Sequence, residues 1–280
     1  MTHKGSIEYN EISKRVVRVL KMKKREYILL KLIEDYIQRP EPVSSKRLQD
    51  ALDIDISSAT IRYYFKQLTE EGSLRKSHAS SGRVPTLASL QAFWRSRLRE
   101  DLELPLRDEA QLARLADDKG IFCEYYTLED RPLEGFEPVG DMLLVRFGSR
   151  KMAVERSEPL ERYLRQQVGR GAFDLVRDSY RVGLVRFGKG VRDLMQRRFR
   201  VCALAEVIDI SKEDIRWAER NLQRLLDGSA IYEGESGVAF EGGVVRYKFR
   251  IAAGDERGEM LLLGRPHKDF LGFVNRMKGA

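Results

Sequence analysis

Cysteine and histidine are scarce in this chain: two cysteines, Cys123 and Cys202, and three histidines, His3, His78 and His267, in 280 residues. The cysteines stand 79 positions apart and neither belongs to a CxxC pair. In a cytosolic chain that reads as two reduced, buried thiols rather than a disulfide or a metal site. The histidines are scattered, so no metal site assembles from the sequence and no cofactor is expected. No apolar run approaches the roughly 18 residues that span a bilayer, and Met1–Asn10 is too polar for a signal-peptide core. The expected location is cytoplasmic. Gly169-Arg170-Gly171 and Gly188-Lys189-Gly190 complete neither a Walker nor a dinucleotide fingerprint and read as turns. No nucleophile, base and orienter can be named together, which argues against an enzyme.

What the chain has is charge, unevenly placed. Hydrophobic residues make up 42% and charged residues 34%, a globular composition, and the length suits two domains with separate cores. The net charge is +8. Residues 1–99 hold 20 Lys+Arg against 11 Asp+Glu, a balance of +9, so residues 100–280 carry −1. A basic half of this kind points to phosphate binding where it coincides with a docking motif.

Residues 1–22 form an N-terminal extension. Ile12, Val16, Val19 and Leu20 share one helical face, with Lys14, Arg15, Arg18 and Lys21 elsewhere. Packing on the domain that follows or on a dimer mate is the favoured role; weak membrane association through this basic helix is the second. Residues 23–86 read as a winged helix-turn-helix. An amphipathic helix over Lys23–Gln38 carries Ile28, Leu29, Leu32, Ile33, Tyr36 and Ile37, and Pro40 and Pro42 end it. Ser44 and Ser45 cap a second helix, Lys46–Leu52, and the third runs from Ser58 to Glu71 with Ile61, Phe65 and Leu68 inward. Gly72 stops it, Leu74–Lys76 starts a wing, and His78–Arg83 forms the tip.

A recognition helix presents its N-terminal residues to base edges in the major groove. Ser58, Thr60, Arg62 and Tyr63 are therefore the candidate readers, Arg62 toward guanine or phosphate, with Lys66 on the outer face and Ser45 and Lys46 at the start of the second helix. In the wing, His78, Ser80, Ser81 and Arg83 are candidates for the sugar-phosphate backbone, where small residues and Gly82 would let the chain approach closely.

Beyond the wing, residues 87–105 read as a linker helix within Thr86–Leu104, with Leu90, Phe93, Trp94 and Leu98 on one stripe. Residues 106–280 mix helices and strands with hairpin spacing, which makes the fold class α+β. The expected order is a helix near Asp108–Asp118, a strand Ile121–Leu128, a hairpin of Asp141–Phe147 and Lys151–Glu155, and helices Glu158–Val168 and Phe173–Arg181. A strand Leu184–Phe187, a helix Val191–Phe199 and a strand Val201–Ile208 follow. Ser211 then caps a helix with Ile215, Ala218, Leu222, Leu225 and Leu226 inward, ending at Gly228. Strands Val244–Ala252 and Glu259–Leu263 and a helix Pro266–Met277 close the chain.

Three segments carry a resemblance: E-P-V-S-S-K at 41–46, S-S-A-T-I-R at 57–62 and H-A-S-S-G-R-V-P-T at 78–86. The chain resembles the HrcA heat-inducible transcription repressors of bacteria, closely over residues 23–86 and more loosely near 258–270. The resemblance implies a GAF-like domain after the winged helix, with a reduced, dimer-forming insertion within about 150–210. It further implies a homodimer that binds double-stranded DNA at an inverted-repeat operator of the CIRCE type ahead of chaperone operons. A chaperonin would keep the repressor folded and active, with no obligatory small molecule. The alternative is a metabolite-gated winged-helix repressor of the DeoR or GntR sort, whose recognition helices also read T-I-R. A third reading, an enzyme with an appended DNA-binding module such as a biotin ligase, lacks that enzyme's longer Gly-Arg loop.

Overall fold

The computed structural model describes residues 23–77, 82–232 and 234–279. The N-terminal extension over 1–22 and the wing residues His78, Ser80 and Ser81 lie outside them. The chain divides into two units, Met1–Ser96 and Arg97–Ala280.

In the first unit the helical periodicity translates directly into a core. Helices α1 (Lys24–Gln38), α2 (Ser45–Asp50) and α3 (Ser58–Glu70) bury Ile28, Leu32, Leu48, Ile61, Phe65 and Leu68 in one cluster with Val43, Ile56 and Leu74. Ser44 caps α2 by accepting from the Arg47 amide, and Ser57 caps α3 by accepting from Thr60. Strands β1 (Leu74–Lys76) and β2 (Arg83–Pro85) then pair antiparallel, Leu74 opposite Pro85 and Lys76 opposite Arg83. Thr86 closes the base of this hairpin: its hydroxyl donates to the Gly72 carbonyl at 2.9 Å, and its amide donates to Ser73. Helix α4 follows (Leu87–Arg97).

The helix expected to reach Leu104 ends at Arg97. Glu103–Pro105 is strand β3, parallel to strand β10 (Val244–Ala253), and proline is tolerated there because β3 is an edge. The second unit is built on a six-stranded sheet in the order β3-β10-β11-β4-β8, comprising β4 (Phe122–Glu129), β8 (Gln196–Cys202), β10 (Val244–Ala253) and β11 (Glu256–Gly264). Strand β9 (Gly237–Glu241), which periodicity missed, pairs with the first half of β10. Helices α5 (Glu109–Lys119) and α11 (Phe270–Gly279) belong to one face of the sheet, where Tyr125 donates to Glu109 at 2.8 Å.

Between β4 and β8 the chain makes a long excursion. It builds a separate three-stranded meander, β5 (Gly135–Val139), β6 (Met142–Phe147) and β7 (Arg150–Glu155), then helices α6 (Glu158–Gln167), α7 (Ala172–Arg181) and α8 (Val185–Met195). Their apolar faces join the even-numbered side chains of β4, Phe122, Tyr126 and Leu128, in the larger core.

Several expected elements change type. Leu184–Phe187 is not a strand, because Phe187, Val191 and Met195 recur at helical spacing in α8 and are buried. Gly188-Lys189-Gly190 lies inside that helix rather than in a turn: a Cβ on Gly188 would collide with Ser179 of α7, so the glycine permits close helix contact. The helix expected over Val191–Phe199 stops at Met195, since Arg198 and Arg200 alternate along strand β8 to reach Glu109. The strand expected over Val201–Ile208 ends at Cys202; Ala203 turns the chain with φ 53, and helix α9 (Leu204–Glu213) begins. Ser211 sits within α9, and the cap of α10 (Ile215–Leu226) is Asp214, which accepts from Trp217. Trp217, Ala218 and Leu225 are the buried side of α10, whereas Ile215 and Leu226 are 69% and 57% exposed. The last helix starts at Phe270 rather than Pro266.

Candidate nucleic-acid interface

Helix α3 is held at its N-terminus by two hydroxyl contacts. Ser57 caps it, and Ser58 bonds Ser45 of α2 at 2.9 Å, so the starts of α2 and α3 are fixed side by side. Of the candidate readers, Thr60 is partly spent on the cap, its hydroxyl 2.9 Å from Ser57. Arg62 is exposed and has no hydrogen-bond or ion-pair partner among the described residues. Tyr63 is 59% exposed, its hydroxyl accepting from Gln67 at 3.0 Å, so it stands as an oriented aromatic on the outer face. Lys66 is exposed and lies 3.9 Å from Glu70, an i,i+4 pair that water screens heavily.

Two sets of cations in this unit differ in their partners. Arg25, Lys31, Arg39 and Arg47 are ion-paired, with Glu71, with Glu34 and Asp53, with Glu41, and with Asp35 at 2.8 Å. Lys23, Lys24, Lys46, Arg62, Arg75 and Lys76 are exposed and have no such partner among the described residues. Lys46, Arg62, Arg75 and Lys76 lie on α2, α3 and β1. Arg75 and Lys76 were not singled out by sequence reasoning, which placed the wing contacts at its tip. The signal available was two adjacent basic residues after the buried Leu74.

Arg83 and Gly82 have additional work. Arg83 Nε donates to Thr69 of α3 at 3.1 Å, and Thr69 in turn donates to the Phe65 carbonyl. The Arg83 backbone exchanges two 2.9 Å hydrogen bonds with Val43. Gly82 is buried, and a Cβ there would come within 2.8 Å of Pro42. The E-P-V and G-R-V segments therefore touch, and Gly82 lets the wing approach Pro42. Among the described residues no group of acidic, histidine and cysteine side chains is arranged to hold a metal, and no helix is long and apolar enough to cross a membrane.

Comparison with known proteins matches residues 94–280 to the family model described as the HrcA C-terminal domain. The heat-inducible transcription repressor HrcA of Helicobacter pylori strain J99 is 34% identical over 154 residues, 53% of this chain and 56% of that protein. The same repressor of Mycoplasma mobile is 43% identical over 88 residues, 30% of this chain and 26% of that protein. The chain spans about half the length of the Helicobacter relatives it matches. A solved structure titled as a hypothetical protein at 2.2 Å resolution aligns over 93% of this chain and 98% of its own, with 18% identity and a TM-score of 0.46.

Proposed function

Because the chain belongs to the HrcA family, we propose that it is a heat-inducible transcription repressor that binds an inverted-repeat operator as a homodimer and releases it when its folded state is lost. The supporting observation is the set of unpaired, exposed cations Lys46, Arg62, Arg75 and Lys76 around the N-terminus of α3 and the first wing strand. Tyr63 adds an aromatic face beside Arg62, and His78, Ser80 and Ser81 fall in the sequence between the two wing strands. In this reading Arg83 is mainly a positioning residue that ties the wing to α3.

A homodimer is supported by Ile215 and Leu226, the apolar side chains that α10 leaves exposed, with half-buried Leu222 beside Leu226 in one surface groove. Control by a chaperonin is part of the same proposal and adds no requirement for a small molecule.

The test is binding to a duplex carrying the CIRCE-type inverted repeat against a scrambled duplex, at fixed salt, with dimerisation followed by light scattering. Arg62→Ala is expected to weaken operator binding at least tenfold, about 1.4 kcal/mol, with an unchanged dimer. Ile215→Asp with Leu226→Asp is expected to give a monomer. Full operator affinity in Arg62→Ala and Arg75→Ala proteins would overturn the assigned surface. Binding that appears only with an added metabolite would favour the gated repressor instead.

A further inference from the structure

The chain's two cysteines, far apart in sequence, are cross-strand neighbours. Cys123 of β4 and Cys202 of β8 are directly opposed Cα partners in the antiparallel pair. Directly opposed side chains project from the same face of the sheet. Opposed Cα atoms in such a ladder stand roughly 4.5–5.5 Å apart, inside the range of roughly 4.4–6.8 Å that a disulfide spans. Both thiols are free, Cys123 fully buried and Cys202 9% exposed. Strand β8 is an edge of the sheet, and it rejoins the domain after the entire excursion of β5–β7 and α6–α8.

We propose that Cys123 and Cys202 are a redox modification site, converted by a peroxide into an intramolecular disulfide that latches edge strand β8 to β4. Cys202, the more accessible thiol, attacks one peroxide oxygen as its thiolate and becomes a sulfenic acid, releasing water. Cys123 then attacks that sulfur, the S–S bond forms and the S–O bond breaks, and a second water leaves. The two sulfurs give up two electrons in total, and one peroxide becomes two waters. Burial raises both thiols above their ordinary pKa, so the tightly folded protein reacts slowly, and fraying of the edge strand sets the rate. The bond closes a loop holding the whole excursion, which restricts the unfolded chain and strengthens the folded unit. The chemistry is independent of the DNA-binding reading. Where that reading holds, oxidation raises the temperature at which DNA is released.

The test uses the full chain, incubated with hydrogen peroxide near its melting temperature and then with or without dithiothreitol. Thiols titrated after denaturation are expected to fall from two to none, the intact mass by two hydrogens, and the product to stay a monomer on a non-reducing gel. Peptide mapping should join the segments holding Cys123 and Cys202. The melting temperature should rise by about 5 °C or more and return on reduction; Cys202→Ser protein should show neither change. Two titratable thiols after treatment, a disulfide-linked dimer, or a sulfinic product would each overturn the proposal, as would an intramolecular disulfide without a melting shift. The decisive readouts are on the unaltered chain, so they stand whether or not a cysteine variant folds.

Discussion

Glu124 is a carboxylate of β4 with both oxygens buried and without a hydrogen-bond partner among the described residues. Burial pushes its pKa up to about 8, against the partial relief of the Arg246 charge. Since the folded value lies above the unfolded value of 4.5, the folded protein holds this proton more tightly. Its contribution to stability is therefore intact below pH 4.5 and is lost progressively as pH rises to about 8, opposite to a salt-bridged carboxylate. Glu124→Gln should remove that loss. Melting curves between pH 5.5 and 8 should diverge from the unaltered protein with rising pH, by on the order of a few kcal/mol at the upper end. Parallel curves across that window would refute the assignment. Ala203 is a second residue held at a cost, since its φ of 53 lies in the left-handed region. Ala203→Gly should stabilise the fold by about 1 kcal/mol, read as a higher denaturant midpoint, although glycine ordinarily weakens a chain.

Strand β11 shows how an element depends on one missing side chain. Gly258 lies opposite Thr127 of β4, and a Cβ there would overlap the Tyr126 carbonyl oxygen, a backbone atom with no room to yield. Gly258→Ala is expected to cost at least about 2 kcal/mol, visible as an early thermal transition of the second unit. The elements that sequence located well were those whose periodicity and end signals agree: α1, α3, and α5 with Asp108 at its start and Gly120 at its end. Those it misplaced were set by contacts between distant segments. The glycines of α8 look like a turn until Ser179 and Met152 are seen beside them. The arginines of β8 look helical until Glu109 and Glu256 meet Arg198 from elsewhere in the chain. In the candidate interface, Arg62 and Lys46 were readable as exposed cations. The bond from Arg83 to Thr69 was not, because the two are 14 positions apart on different elements.

At the scale of the whole molecule, the charge division, +9 over residues 1–99 against −1 over the rest, predicts a steep salt dependence carried by one part of the chain. Each phosphate-contacting cation removed should flatten the slope of log K against log[salt] by about 0.9. A Lys46→Ala, Lys76→Ala double variant should thus bind with a slope shallower by about 2, in equilibrium titrations at several salt concentrations; an unchanged slope would place both side chains away from the phosphates. The second unit has its own architectural economy. Leu128 at the end of β4 and Gln196 at the start of β8 are cross-strand partners, so the chain leaves the sheet and returns at the same place. Closing a longer loop between fixed ends becomes only slowly more expensive. Lengthening a connecting loop of the excursion should therefore cost little, whereas removing the segments whose apolar faces cover Phe122, Tyr126 and Leu128 would open the larger core to water.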